Sequence, residues 1–346
     1  MNLSLLPVPF ALFAFLSAAS AQPAAAPSGG SDDEIEATQL VHGVQAAVRI
    51  YSKDPAKARP IAAAALAEIA RIYNKLDKRN RESETAAINS AAGTEEVIVS
   101  EETQQVLVRA LDLCRRTGGA YDPTVATYEF LWNFENRPFV RPLADELAVR
   151  RAMTGCAKVV QKPTNRAVRL GAPMIRLTLA GVLHGFALER TSELLRRAGF
   201  TDFRIRLGDD VFAQGRVGTR HWLTTVPNSR RPDGTGLPVY LTSQAAVTVT
   251  DSEHVVYKNG KRYHDELDPR TGLPVEGVVQ ATVIATDPTA AAALAHALFV
   301  LGPKAGLAML AHDKQGEGFL IDSHGKLWAS PGMGDLAHLP PSVPVD

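Results

Sequence analysis

The chain has only two cysteines, Cys114 and Cys156, in 346 residues, and they form no C-x-x-C pair. That excludes a cysteine-built zinc module and a dithiol redox centre. An excess of either charge is also missing: Lys+Arg and Asp+Glu each number 37. No global field therefore draws the chain to polyanions, and no basic stripe with interleaved aromatics is present, so nucleic acid is not an expected partner. There is no P-loop lysine motif, no G-x-G-x-x-G fingerprint and no G-x-S-x-G elbow, which removes the commonest nucleotide-binding and serine-hydrolase signatures.

What is present is an ordinary globular composition, 45% hydrophobic and 21% charged, long enough for one large or two medium domains with proper cores. The N-terminus carries an apolar run through Leu16 and then Ala19-Ser20-Ala21, an A-x-A cleavage pattern, followed by a Pro/Ala/Gly/Ser stretch. It reads as an export signal over 1–21, cut after Ala21, with a disordered linker over 22–36. The expectation is an exported, periplasmic protein that is soluble after cleavage. The alternative is an N-terminal anchor, against which two prolines in the run argue. No cysteine lies near the cut, so lipid attachment is not expected. In an exported protein Cys114 and Cys156 can pair, or remain as two buried thiols; sequence leaves both open.

Strand periodicity covers 44–51, and an alanine-rich helix follows over 54–78. A second helix is predicted near 102–116, then a loop with aromatic anchors over 118–134, two short strands within 157–179, a helix over 184–199 and a strand into a turn over 202–210. Further strands are broken by "PNSRRPDGTG" and by a hairpin turn at Asn259-Gly260. Strand 278–286, a helix over 287–301 started by Asp287-Pro288 and ended at Gly302, and strand 317–321 close the body. The tail from 333 to 346 reads as a Pro-rich disordered end. The fold class expected is α/β, or α+β, with mixed sheets packed against helices.

Four stretches place glycine and polar residues at element ends: Gly118–Val125, "TLAGVLHGF" (178–186), "LGDD" (207–210) and "HDELDPRTG" (264–272). Singly each is weak; Asp-Pro-Arg-Thr-Gly can be a turn and nothing more. Asp210 and Asp268 are the candidate catalytic carboxylates. One histidine, His296, interrupts the otherwise apolar "DPTAAAALAHALFVLG".

Taken in order, "LDKRNRESETAAIN" with Ser83, Glu84 and Asn89, "TGGAYDPTVATYEFLWNF", "LAGVLHGFALERTSELLRRAGF", "RIRLGDDVFAQG", "NGKRYHDELDPRTGLPV" and "TVIATDPTAAAALAHALFVLG" resemble the FAD:protein FMN transferase family, also called the ApbE family. The resemblance runs over about residues 40 to 302, inside a domain placed at 37–332. It implies a protein that binds FAD, uses magnesium to split its diphosphate and attaches FMN to a threonine or serine of an acceptor flavoprotein, with AMP leaving. Acceptors of the family are commonly subunits of membrane redox complexes. The resemblance further implies cofactor contacts from Gly119, Ala120, Tyr121, Thr178, His184 and Arg270. It implies a metal held by the Gly181 carbonyl and by two side chains four residues apart on the last core helix, here Ala292 and His296.

Those two positions are where the sequence departs from the family. Ala292 stands for an aspartate and His296 for a threonine, so both side-chain oxygens are gone. Thr178 stands for an aspartate, Ala180 for a glycine, His184 for a lysine and Asp209 for a glycine. Something like Val249-Thr250-Asp251 replaces threonine-serine-glycine. Asp265 falls where the family has histidine, with His264 one place early, and His42-Gly43-Val44 replaces methionine-glycine-threonine. Three readings compete. The first is a transferase in which Asp209, Asp210, Asp251 or Asp265 supplies the missing carboxylate to magnesium. The second is a binding protein that holds FAD or docks a partner without turnover. The third is a site switched to a transition metal on His184, His296 and Asp265. Blander readings stand beside them: His296 as a hydrogen-bonded core histidine, Tyr121 and Trp132 as packing aromatics, and Arg270 as the brace of its own turn.

Overall fold

A computed structural model describes residues 33–134, 139–228, 230 and 236–336. The stretch read as an export signal with Ala19-Ser20-Ala21, the first part of the stretch read as linker, most of "PNSRRPDGTG" and the end of the stretch read as tail lie outside the described residues.

An eight-stranded sheet organises the chain: β1 (Glu34–Val41), β2 (Val44–Tyr51), β3 (Phe203–Leu207), β4 (Asp210–Gln214), β5 (Gln244–Thr250), β6 (Val278–Ala285), β7 (Gly316–Asp322) and β8 (Leu327–Ala329). These strands neighbour one another in chain order, and every ladder is antiparallel. The expected mixture of helix and sheet is present. The strand-to-helix alternation does not build parallel crossover units, however, and the architecture is α+β.

Five helices set the site: α1 (Pro55–Leu76), α2 (Glu101–Arg116), α3 (Ala144–Met153), α4 (Ala180–Arg197) and α5 (Pro288–Asp313). Asp54, Ser100 and Asp287 cap α1, α2 and α5 by accepting a hydrogen bond from the backbone N–H three residues on, which satisfies one of the free donors of a first helical turn. Strand β6 is buried along its whole length. Its Ala281 and Val283 join the core with α1, α4 and α5. Ile284 meets a second core on the other face, with Trp222, Val226, Val239, Phe319 and Met333.

The alanines of α5 let it approach α4 closely. A Cβ at Gly185 would sit 2.1 Å from the Pro288 carbonyl oxygen, so only glycine fits that crossing. Gly302 (φ 73°, ψ −173°) breaks α5 where sequence ends the helix. A second helical run then starts from Pro303, which the apolar pattern before the glycine does not announce.

Several boundaries need correction. The ordered body begins with β1 at Glu34, inside the stretch read as linker to 36. At the other end Met333–Leu336 is a helical turn with Met333 buried, inside the stretch read as tail. Helix α4 starts four residues before 184, at Ala180. The 118–134 loop contains short helical turns at Val125–Tyr128 and Glu129–Trp132. The hairpin turn at Asn259-Gly260 is present, both residues at positive φ (52° and 74°). Cys114 and Cys156 form a disulfide, Cα atoms 6.4 Å apart, which ties α2 to the turn after α3.

Candidate functional site

Thr178 lies just ahead of helix α4. Its hydroxyl accepts from the Ala180 N–H at 3.2 Å, and its own N–H donates to the Pro123 carbonyl at 2.7 Å. Thr178 is buried, with its hydroxyl engaged by the Ala180 N–H. Three residues on, Gly181 is pressed between two rings: a Cβ there would lie 2.9 Å from Tyr121 Cε2 and 3.2 Å from His296 Nε2. This is the point where α4, α5 and the loop after α2 meet. The side chains of Tyr121 and His296 converge there on the Gly181 backbone.

One turn further along α4, His184 stands with Nδ1 2.7 Å from Asp210 Oδ2. Asp210 is itself fixed, because its other oxygen accepts from the Thr248 N–H at 2.8 Å. On α5, His296 Nδ1 lies 3.3 Å from Glu266 Oε2. Burial alone pulls the His296 imidazole down. Glu266, with Asp210 and Asp265 behind it, more than reverses that and holds its pKa above that of an ordinary histidine. Asp210 thus binds one imidazole and acts on the other. In both pairs a carboxylate engages Nδ1, which leaves Nε2 as the second nitrogen of each ring.

Aromatic groups continue the site. The Tyr73 ring lies 5.8 Å from His184 and 5.6 Å from His42, and His42 meets Asn74 at 2.8 Å and Asp77 at 3.4 Å. The hydroxyls of Tyr73 and Tyr121 are buried without a partner among the described residues. Burial pushes both phenols up; for Tyr73 the charges of Asp210 and Asp77 add to it. Two unsatisfied donors beside two imidazoles fit an anionic, oxygen-rich ligand such as a diphosphate.

Magnesium does not fit the same residues. It asks for near-octahedral oxygen ligands, whereas Ala292 is a buried methyl group and His296 offers nitrogen. The alternative carboxylates are engaged as well. Asp210 holds His184, Asp265 binds His254 at 2.6 Å, and Asp251 accepts from Arg230 at 2.5 Å and from Arg262. Asp209 is half exposed and lies 3.6 Å from Arg206. The transition-metal set does not assemble either. Among the described residues, the cluster whose ligand atoms gather within 4.8 Å is Cys114, Asp122 and Cys156, and its thiols are spent in the disulfide.

Other assignments are corrected by their contacts. Gly119 N–H donates to Cys114 O at 2.8 Å, Ala120 N–H to Thr117 O at 3.2 Å and Tyr121 N–H to the Thr117 hydroxyl at 3.2 Å. These donors close the end of α2. Asp268 and Arg270 pair with each other, with Arg270 Nε and Nη2 each 2.9 Å from a carboxylate oxygen. Both belong to their own turn, which reaches Tyr128 and Trp132 through the carbonyls of Pro269 and Gly272. His264 is a core residue: edge-on to Phe299, bonded to the Val275 carbonyl at 2.9 Å and held down by burial.

The side chain that sequence reasoning missed is Glu266. It lies in the singled-out "HDELDPRTG", and the signal was a buried-type histidine on α5 that needed a counter-charge. Tyr73 was missed because it reads as one more apolar position of α1.

The chain and its fold have counterparts among known proteins. Residues 42–320 match the model of the ApbE family. An FAD:protein FMN transferase of Treponema pallidum is 30% identical over 325 residues, covering 87% of this chain and 88% of that protein. An enzyme of the same name from Haemophilus influenzae is 27% identical, covering 66% and 67%. The crystal structure of the ApbE protein of Thermotoga maritima superposes with a TM-score of 0.81 at 27% identity, over 88% of this chain and all of that one. The apo flavinyl transferase ApbE of Pseudomonas stutzeri shares the fold, with a TM-score of 0.78 at 21% identity over 89% of this chain and 98% of that one. The chain belongs to the ApbE family.

Proposed function

We propose that this chain binds FAD and transfers its FMN half to a hydroxyl of an acceptor protein, and that two carboxylate-braced imidazoles do the work of charge and proton handling. The observation that carries the reading is the pair His184–Asp210 and His296–Glu266 set around Gly181. In the step, the acceptor oxygen forms a bond to the FMN phosphorus and the bond to the bridging oxygen breaks, so that AMP leaves with that electron pair. His184, oriented by Asp210, takes the hydroxyl proton at Nε2. His296, whose pKa Glu266 raises, faces the negative diphosphate, and the Tyr73 and Tyr121 hydroxyls supply neutral donors.

The acceptor is a flavoprotein, and we propose a subunit of a membrane redox complex as its class. We further propose that the chain is exported and acts in the periplasm. The Cys114–Cys156 disulfide and the Ala19-Ser20-Ala21 pattern support that placement. A second reading, an FAD-holding protein without turnover, is favoured by the buried methyl of Ala292 where a metal ligand is implied.

One experiment separates the two: FAD binding by isothermal titration, then AMP release in the presence of an acceptor domain. His184→Ala is expected to lower AMP release about 100-fold, the weight of a positioned general base, while FAD affinity stays within about threefold. FAD binding with no AMP release from the unaltered chain leaves the holding protein.

A further inference from the structure

Helix α3 is ten residues long and buries none of them. Ala144, Leu147, Ala148 and Arg151, at i, i+3, i+4 and i+7, form one stripe. That stripe lines a groove of about 650 Å³, flanked on the other side by Thr271 of the Asp268–Gly272 turn and by Leu273 just after it. Leu143, at the mouth, is 69% exposed and Leu273 is 39% exposed. The floor is apolar, and an arginine stands at either end: Arg141 before the helix and Arg151 in its last turn. Among the described residues neither guanidinium has a carboxylate partner, whereas Arg49, Arg71, Arg109, Arg116 and Arg262 each do.

The groove does not end blindly. A second cavity of about 330 Å³ shares Arg141, Thr271 and Leu273 with it and runs past Tyr263 to Val300. Val300 lies one turn beyond His296 on α5, although none of the four paired side chains lines either cavity.

We propose that this groove docks an extended, acidic and apolar segment of the acceptor protein. This rests on the transferase reading above. Apolar side chains of the segment cover Leu143, Leu147 and Leu273, and a carboxylate at each end meets Arg141 and Arg151. The stripe spans about 10 Å from residue 144 to residue 151, the length of three to four extended residues. Paired arginines give charge selectivity, and the apolar floor gives area.

The test uses the full mature chain and two fluorescein-labelled peptides of five residues, Asp-Leu-Thr-Leu-Asp and the same peptide with lysine at both ends. Fluorescence anisotropy is expected to show at least tenfold tighter binding of the acidic peptide. In the double variant Arg141→Glu/Arg151→Glu the preference is expected to invert, with FAD affinity and melting temperature unchanged. In the transfer assay the same variant is expected to raise the acceptor KM more than tenfold while leaving its kcat. Equal binding of both peptides, or a preference that survives the double reversal, overturns the proposal. Two other results also overturn it: capture of the chain by phosphatidylglycerol vesicles in place of the peptide, or a dimer in sedimentation that Leu143→Asp dissolves. Absence of FAD binding by the unaltered chain breaks the transferase reading instead, and the peptide data then stand by themselves as a peptide site.

Discussion

Helices α5 and α3 are opposites in what they hide. From Pro288 to Phe299, α5 buries every residue except His296, which is half-buried; α3 buries nothing. A polar residue inside an apolar helix is costly unless paired, and His296 has its carboxylate in Glu266. Apolar residues left outside a surface helix are cheap only if something covers them, and Leu143 lies open beside two arginines that have no carboxylate partner among the described residues. The buried exception points inward, to chemistry. The exposed one points outward, to a partner.

The largest effect that sharpens this contrast is at the α4–α5 seam. Gly185→Ala puts a methyl group against the Pro288 carbonyl, and a loss of about 3 kcal/mol in urea unfolding is expected, the upper part of the overpacking range. An unchanged midpoint would mean that α5 is held less tightly than its burial implies.

A smaller effect concerns Asp265, beside Glu266. Burial first, and then the Glu266 charge, push its carboxyl up to about 6 against the pull of His254. The folded state therefore holds this proton more tightly than the unfolded chain, whose carboxyl titrates at 3.8. Its contribution is full below pH 4 and is lost as pH rises to 6. Asp265→Asn should then stabilise the protein at pH 7 by about 1 kcal/mol, after allowance for a side chain one-third exposed. The gain should vanish below pH 4 in thermal melts across pH. A variant that gains equally at every pH would remove Asp265 from the charge network around Glu266.

The smallest effect lies on α3. Leu143→Asp should change stability by less than about 0.5 kcal/mol, because Leu143 packs on little. A loss of several times that would show that α3 is part of the core and not a docking surface.

The scaffold was legible because its signals are local. Caps at Asp54 and Asp287, the break at Gly302, the Asn259-Gly260 turn and the alternation in 44–51 each act within a few residues. Strand β1 was not, since Glu34–Val41 carries a largely exposed edge pattern that reads as linker. At the site, sequence picked out His184, Asp210, Gly181 and His296 as belonging together. It did not supply the pairing, because Glu266 reaches His296 across 30 residues and Asp210 reaches His184 across 26. Nor did it show that the N–H groups of residues 119–121 are used up in closing α2, a matter of turn geometry with no signature in residue type.

The central claim is that imidazole pairs stand where the family resemblance implies magnesium, and its most direct test is the metal requirement of AMP release. Release from FAD, with an acceptor domain present, is to be measured in excess EDTA and in magnesium for the unaltered chain and for the Ala292→Asp/His296→Thr variant. The account predicts that release by the unaltered chain is the same in EDTA and magnesium, and that the variant becomes dependent on magnesium. Release that stops in EDTA and returns with magnesium in the unaltered chain would contradict it.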